Sequence, residues 1–433
     1  ALRCAPPVPS PIVPSQTAPS ASAPPSLTAI EPEPPSDVAP RGAQASRILP
    51  LLLVEVDRRG EATDVDPDLY RRRLEGFALR FDQRVVVTRR SPIFPAAAGQ
   101  PFYHLRVSVS REGASVNAYF TLQHGHDERI LASRAVHLGQ TMRAPSEQGP
   151  ATTTPEDLAV LREMLETTGP IWTDVARLED VTPALACLTR AELFDLAATE
   201  AAWVTAADCL EATVQANPEL VPALLRLADL AIAEHRRALP SRGGDPLVRA
   251  QALIARAAAL APGSAAPRLR QTLLQMARGD AAGAVVSGGR AVEANPHDLA
   301  AVGHYGAALA AVGRYADAVP YLWRAVDETP MPPPQIRWFT FLALNNLGRL
   351  DEADVQAAAL VGTRSPIALT AVLLRAHRRG DRAAVAATLS ALDATEPAMR
   401  TDPRAALARR GLAPRVVDRP IVDLDVAGLR DSR

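Results

Sequence analysis

The spacing of apolar residues divides the chain into three kinds of segment. Residues 1–45 consist mainly of Pro, Ser and Ala and show neither helical nor strand periodicity, which predicts an unstructured tether. Residues 46–140 contain short apolar runs and segments of strict apolar–polar alternation, a pattern typical of strands. From about residue 191, apolar residues recur at helical spacing between glycines and prolines. The pattern therefore predicts a tether, an α/β domain and a helical array.

Residues 46–140 begin with a strand–helix–strand order. ILPLLLVEV, from Ile48, is a nearly continuous apolar run that suits a strand buried on both faces. Asp66 is a helix cap and Pro67 a first-turn residue, and residues 84–90 form the next strand. The apolar stripe predicted for the helix consists of Leu69, Leu74, Phe77 and Phe81. This order indicates a parallel crossover.

Three alternating segments follow, at residues 102–111, 114–123 and 129–138. A turn at Glu112 and Gly113 separates the first two, so the three segments predict an antiparallel meander. Together with the crossover, they predict a small α/β domain with a mixed sheet.

Residues 154–168 predict a helix within a connecting region that covers residues 141–190. Thr154 is the expected cap, Pro155 lies in the first turn, and Gly169 follows the last residue. The expected buried stripe consists of Leu158, Leu161, Met164 and Leu165. We expect this helix to join the α/β domain to the helical array.

The middle of the helical region repeats one pattern. Pro262, Pro296 and Pro330 are 34 residues apart, and a glycine, Gly279 or Gly313, separates two helix-like segments in each copy. The copies resemble the tetratricopeptide repeat, a family of helical hairpins. Because one hairpin cannot bury its apolar face alone, about three or more must stack.

Within the second copy, Gly306 and Ala318 are small enough to let the two helices approach, and Leu322 fills the space between them. Less regular copies before and after these two predict four or five hairpins in residues 191–397, with an insertion at residues 239–245. The expected fold class is therefore α+β multidomain: a small α/β domain followed by an all-α tetratricopeptide superhelix.

A second resemblance concerns the α/β domain. LEGFALRFDQRVVVTRRS (residues 74–91) and the strands in residues 103–133 are similar to the amino-terminal domain of TolB and its relatives in bacterial membrane-tethered transcriptional regulators and adenylate cyclases. The first strand departs from the Pro-Phe ending usual in that family. The resemblance implies a domain without catalysis, and an output module upstream of Ala1 across a membrane.

Residues 398–433 form a tail with one apolar piece, APRVVDRPIVDLDV, which is long enough to lie as an extended strand along a groove or sheet edge. Paired arginines, including Arg236–Arg237, are interpreted as solvated helix faces. The formal charge of -1 argues against nucleic-acid binding. Cys187 and Cys209 can form a disulfide or remain two buried thiols.

No sequence motif indicates catalysis or a cofactor. The chain has no Gly-rich phosphate loop and no nucleophile elbow. QHGHDE, which holds His124, His126, Asp127 and Glu128, offers metal-binding side chains, but Gly125 indicates a hairpin turn that directs them apart. We therefore expect neither a metal nor a cofactor.

The inner groove of the array is the candidate binding site. Its residues are mainly apolar and small, so we expect it to take a protein or peptide with an apolar face. Alternatively, the helix at residues 154–168 or the tail fills it, and Trp338 belongs to the core. In the family's register the predicted lining is Ala266, Leu269, Leu273, Met276, Ala300, Gly303, Ala307, Ala310, Gln335, Trp338, Leu342 and Asn345.

These features favour a non-catalytic sensor or adaptor region of a bacterial envelope signalling or regulatory protein. The alternative is a structural scaffold in an envelope secretion or polysaccharide-export assembly. The expected location is the periplasm or a membrane tether facing it, with the cytoplasm as the alternative. Membrane contact would come only from a segment upstream of residue 1, and self-association stays open.

Overall fold

The computed structural model describes residues 47–59, 65–89, 99–113, 115–138, 155–197, 199–363 and 365–429. The predicted tether and the predicted cap Thr154 lie outside these ranges. Within them, a mixed sheet with its covering helices is followed by a long series of helices. The α+β fold class with a helical repeat region is therefore confirmed.

The sheet has five strands among the described residues, in the spatial order β2-β1-β3-β4-β5. β1 (Leu51–Arg59) runs parallel to both β2 (Val86–Thr88) and β3 (Phe102–Glu112). β3, β4 (Ser115–His124) and β5 (Ile130–His137) form an antiparallel meander. The parallel crossover and the meander are thus both confirmed, although the second half of β1 is largely exposed.

Helix α1 (Pro67–Ala78) begins where the sequence predicts. The Asp66 carboxylate caps it by accepting a hydrogen bond from the backbone N–H two residues on, at 2.9 Å. Its buried stripe includes Tyr70 and Leu74, whereas Leu69 is 61% exposed. The assignment of Leu69 to the stripe is wrong, because one residue rotates a side chain by about 100° around a helix.

Helices α2 (Glu156–Leu165) and α3 (Pro170–Val175) lie beside α1 against the sheet. The side chain of Arg162 in α2 donates a hydrogen bond to the Glu328 carboxylate in the helical array at 2.6 Å. α2 therefore contacts both regions, as expected. Its predicted apolar stripe is buried: Leu158, Leu161, Met164 and Leu165.

Six antiparallel helical hairpins, packed one after another, make up the array among the described residues. The expected four or five were too few, because the first hairpin lacks a glycine turn and the predicted boundary at residue 191 falls inside its first helix. The pairs are α4 (Pro183–Ala197) with α5 (Glu200–Ala216), α6 (Val221–Arg237) with α7 (Pro246–Leu260), α8 (Ala265–Ala277) with α9 (Ala281–Ala294), α10 (Leu299–Ala311) with α11 (Tyr315–Asp327), α12 (Pro334–Asn346) with α13 (Leu350–Ala358), and α14 (Pro366–Arg378) with α15 (Arg382–Thr395).

Residues in the hairpin turns close one helix and start the next. In the α8–α9 turn, Gly279 has a φ of 77°, a conformation that glycine adopts without strain. The next residue, Asp280, donates its backbone N–H to the Gln275 carbonyl at 2.9 Å and accepts the Gly283 N–H on its carboxylate at 2.9 Å. Glycines with positive φ occupy the matching turns at Gly313, Gly348 and Gly380.

The close approach of α10 and α11 depends on small residues, as the sequence predicts. A Cβ added to Gly306 would lie 2.8 Å from Cγ of Leu322. Ala318, on the facing side of α11, is fully buried. A larger residue at either position would therefore separate the two helices.

The tail is helical: α16 (Ala398–Thr401), α17 (Pro403–Ala408) and α18 (Pro414–Val426). The expectation of an extended strand at residues 413–426 is wrong. A strand leaves backbone groups unpaired unless another strand lies beside it, and this segment packs on helices whose backbone groups already pair internally. A helix satisfies its own backbone and still presents an apolar side.

Cys187 of α4 and Cys209 of α5 form a disulfide, which resolves the two alternatives left by the sequence. The bond links the two helices of the first hairpin. A search of the described helices finds none with both the length and the apolar character needed to cross a bilayer.

Candidate functional site

The first helices of the hairpins form one continuous surface, the inner face, made by α4, α6, α8, α10, α12 and α14. Each first helix contacts the next along the stack, while the second helices pack beside them. Stacked repeats use extended surfaces of this kind for recognition. The inner face is therefore where the predicted groove must be sought.

Two predicted groove residues, Leu269 and Gly303, lie where neighbouring hairpins pack together and do not line a groove. Leu269 packs with Ala291 and Ala301. A Cβ added to Gly303 would lie 3.0 Å from the Ala325 side chain and 3.3 Å from the side chain of Ile336, which belongs to the next hairpin. Both positions serve hairpin packing, so the predicted register is displaced on these helices.

Side chains one residue further along reach the inner face. Arg270 and His304 both lie near α6. In the same region, the backbone carbonyls of two predicted groove residues, Leu273 and Ala300, contact polar side chains. The Leu273 carbonyl accepts from Arg236 at 3.0 Å, and the Ala300 carbonyl lies 2.8 Å from His304 Nδ1. The other positions predicted on α8 and α10 are buried: Ala266, Met276, Ala307 and Ala310.

The predicted positions on α12 lie mostly beneath the tail. Trp338, Leu342 and Asn345 line a narrow gap whose far side is formed by tail residues, including Pro420 and Leu424. The tail thus occupies this part of the groove, while α2 packs on the sheet. Gln335 is half-buried at the start of α12. A role in partner binding stays a prediction for all of these residues.

The segment before α18 crosses the inner face. A Cβ on Gly411 would lie 2.6 Å from the Met276 carbonyl at the end of α8, so only glycine fits this close approach. The backbone N–H of Ala413 donates to the Ala311 carbonyl at 3.0 Å. These contacts hold the tail against the ends of α8 and α10.

Charged and polar side chains from four first helices meet on the inner face. Arg270 donates to the Asp229 carboxylate at 3.1 Å, and Arg226 pairs with the same carboxylate at 3.2 Å and with Glu192. Nε of Arg236 is buried without a hydrogen-bond partner among the described residues. We call this group the inner polar cluster: Glu192, Arg226, Asp229, Arg236, Arg270 and His304.

Burial sets the protonation of this cluster. It lowers the pKa of Arg226 to about 10. It also lowers the pKa of Arg236 to about 10, and the nearby Arg410 guanidinium acts in the same direction. Burial lowers the pKa of His304 to about 4. At neutral pH the arginines are therefore charged and His304 is neutral.

The α/β domain contacts the loops that precede α8 and α10. Arg84 donates to Glu166 at 2.9 Å and lies 3.6 Å from the Asp298 carboxylate. The Ser264 hydroxyl donates to Asp82 at 3.1 Å. Burial raises the pKa of Glu166, and the charge of Arg84 opposes that rise. The inner polar cluster consequently lies between the α/β domain and the tail.

The histidine-rich turn after β4 has a structural explanation. His124 Nδ1 lies 2.9 Å from Oδ1 of Asp127. A Cβ on Gly125 would lie 2.0 Å from the Phe102 ring, so glycine allows that ring to pack under the turn. Across the described part of the chain, no group of three or more His, Cys, Asp or Glu side chains could hold a metal ion.

Sequence reasoning missed the inner polar cluster. It interpreted Arg236–Arg237 as a solvated face, whereas only Arg237 is exposed. The available signal was helical spacing, because Arg226, Asp229 and Arg236 lie three and seven residues apart and so share one side of α6. Charged side chains therefore lie beside the predicted apolar positions between α6 and α10, and binding of a partner there stays a prediction.

No family model matches this chain, and no curated protein matches it. Among solved structures, YrrB, described as a TPR protein with an unusual peptide-binding site, is 21% identical over 46% of this chain and 97% of its own, with a TM-score of 0.30. MamA of AMB-1 is 17% identical over 39% of this chain and 96% of its own, with a TM-score of 0.28. A human IFIT1 dimer with m7Gppp-AAAA is 14% identical over 62% of this chain and 64% of its own, with a TM-score of 0.43. Similarities this low carry no functional argument.

Proposed function

We propose that this chain is a non-catalytic scaffold that binds a partner protein on the inner face, beside the inner polar cluster. The observation that carries the proposal is the meeting of Arg226, Asp229, Arg270 and His304 from three successive hairpins on one half-buried surface. A surface of this kind exists only when the hairpins are stacked. That dependence suits a repeat array whose role is recognition.

The energetic cost of the cluster supports the same role. Burying charges costs several kcal/mol per ion, roughly, and their mutual attraction often fails to offset that cost. Apolar residues would hold α6, α8 and α10 together at least as well. Charges retained on a partly accessible face serve partner selection more than stability.

The proposed partner is a protein segment with an apolar side and a polar group that hydrogen-bonds to the arginines. Leu273 and Ala300, both half-buried next to the cluster, supply the apolar contact. Arg270 supplies the charged donor group, since its side chain is 17% exposed beside Asp229. A nucleic-acid partner is not proposed, because the net charge is -1.

The finer proposal is a sensor or adaptor region of a bacterial envelope protein. The Cys187–Cys209 disulfide supports it, because such bonds persist in oxidising compartments such as the periplasm. A scaffold in a secretion or polysaccharide-export assembly is the alternative. Mass spectrometry of the chain isolated from its native host under alkylating, non-reducing conditions tests the compartment, and two free thiols would contradict it.

A charge reversal tests the binding surface. Partners crosslinked to the intact chain are identified and purified, and their affinity is measured by calorimetry. Arg270→Glu should weaken binding by about tenfold or more, because it places a second carboxylate beside Asp229. Arg290→Glu makes the same change on the exposed side of α9 and should leave affinity unchanged.

Thermal melting of both variants establishes that they are folded. Equal affinity of the two folded variants would remove the inner polar cluster as the binding surface. Retention of partner binding by a chain in which α6 to α10 is unfolded would reject the scaffold proposal itself.

A further inference from the structure

We propose that the inner face of α12 and α14 is a binding site for an amphipathic helix, which α18 occupies within this chain and which a partner helix with the same apolar spacing takes in its place. The inference rests on the proposed function and adds a second contact with its own chemistry. It concerns α12, α14 and α18, none of which contributes a residue to the inner polar cluster, so the two can be tested separately.

Two aromatic residues of α12 lie on the surface under α18. Aromatic residues make up 4% of the sequence, yet Trp338, Phe339 and Phe341 occur within one turn of α12. Trp338 and Phe341 line the narrow gap between α12 and α18, together with Leu374 of α14. Buried aromatic side chains in a pocket are typical anchors for a helix bound in a groove.

α18 uses this surface as a bound helix would. Its buried side chains Val417, Ile421 and Leu424 are spaced at i, i+4 and i+7, which places them on one side. Val422 and Val426, on the other side, are 61% and 67% exposed. α18 therefore turns its apolar side toward the array and its other side toward solvent. A narrow gap remains between α18 and the array beside Pro420.

The residues of α18 disfavour a helix. Pro420 lies in its interior, where proline removes a backbone hydrogen bond at a cost of about 3 kcal/mol. Asp423 and Asp425 lie in the last turn, at the negative end of the helix dipole. Its ends are those of an ordinary helix, with Pro414 in the first turn and Gly428 after the last residues, so the interior proline and the acidic last turn are the unfavourable features. The helical state of α18 therefore depends on its contacts with α12, α14 and α17.

A partner helix without an interior proline does not carry this cost. It would bind the same aromatic surface with a larger intrinsic affinity than α18. α18 has the advantage of attachment, which raises its effective concentration at the site. The site is therefore closed when no partner is present and is available to a partner helix of sufficient affinity.

A peptide with the sequence of residues 412–429 and Pro420 replaced by Ala is the probe. Its binding to the full chain is measured by fluorescence anisotropy. Leu424→Asp in the full chain removes a buried anchor of α18 and should tighten peptide binding by about tenfold or more. Val422→Asp makes a matched change on the exposed side of α18 and should have no effect.

Pro420→Ala in the full chain gives the opposite result. It stabilises α18 in its own site, so peptide binding should weaken by about tenfold or more. Hydrogen exchange shows where the peptide acts, since saturating peptide should speed exchange in α18 and leave exchange in α7, in a hairpin away from the tail, unchanged.

Equal peptide affinity of the Leu424→Asp and Val422→Asp chains overturns the proposal. If Leu424→Asp abolishes cooperative melting, Pro420→Ala decides, and unchanged peptide affinity overturns the proposal there. Peptide binding that does not expose α18 also overturns it. The Arg270→Glu measurement uses a different partner surface, so failure of the helix site and failure of the scaffold function are distinguishable.

Discussion

Helices α14 and α18 contain 13 residues each and pack against each other, but they are helical for different reasons. Both helices have a proline in the first turn, but only α14 has basic residues in its last turn, where they complement the helix dipole. Both helices end at a glycine with positive φ, Gly380 and Gly428, and the next N–H bonds back, to Ala376 at 3.0 Å in α14 and to Leu424 at 2.9 Å in α18. α18 has an interior proline and an acidic last turn. α14 is specified by its own residues, and α18 by the surface it contacts.

The largest expected effect comes from removing the surface that the two helices share. Trp338 is fully buried and donates its Nε1–H to Thr370 of α14 at 2.9 Å. Trp338→Ala should lower the free energy of unfolding by about 3–5 kcal/mol in urea titrations. Hydrogen exchange should accelerate more in α18 than in α14. Equal acceleration in both helices would show that α18 depends on this surface no more than α14 does.

The first hairpin provides a second test of local specification. No glycine closes the turn between α4 and α5, and the Cys187–Cys209 disulfide joins them instead. Replacing both cysteines with Ser should lower the free energy of unfolding by about 3 kcal/mol. A Cys4→Ser chain is the control. Unfolding of the native chain that is insensitive to reductant would contradict a stabilising role for the bond.

Acid should act on the hairpin array through its buried histidines, whereas α18 contains no histidine. Burial lowers the pKa of His297 to about 4, so its neutral form is favoured in the folded state. The unfolded chain then binds more protons between about pH 6.5 and 4, and stability is complete above that window and falls as the pH drops through it. His297→Phe keeps the ring contact with Phe77 and should remove on the order of 2 kcal/mol of this loss.

The measurement is the urea midpoint at pH 7 and pH 4.5 for the native and His297→Phe chains. An identical acid shift in both would show that His297 does not contribute. His304, whose pKa burial also lowers to about 4, should account for part of the remaining shift.

The smallest expected effect sharpens the comparison. Val422→Ala with Val426→Ala changes only exposed positions of α18 and improves its helix propensity by a total of about 1 kcal/mol. Hydrogen exchange in α18 should slow by about fivefold. Val286→Ala, at an exposed position of α9, should not alter exchange in α18. Unchanged hydrogen exchange in the double variant would show that helix propensity does not limit the stability of α18.

Predictions succeeded where neighbouring residues decide the outcome. Asp66 caps α1, Gly279 and Gly313 close hairpin turns, and Gly306 admits Leu322, all within the reach of a short stretch of sequence. Predictions failed where the burial of a residue depends on which side of its helix is covered by an element distant in the sequence. Leu69 is exposed although its neighbour Tyr70 is buried.

The candidate site shows the same limit. Leu273 and Ala300 were predicted and lie beside the inner polar cluster, whereas Leu269 and Gly303 pack between hairpins. Helical periodicity identifies a side of a helix only to within about one residue, or about 100°. Arg236 was missed because nothing local distinguishes it from the exposed Arg237.

By itself, the sequence determined the strands, the hairpin turns and the repeated helices, because alternation, capping and glycine conformation act over a few residues. Only the tertiary structure decided that residues 413–426 form a helix on α12 and α14, and that arginines from separate hairpins meet around Asp229. The physical reason is that burial and charge pairing depend on residues far apart in the chain. Those contacts override the poor helix propensity of α18 and hold charges together on a half-buried face.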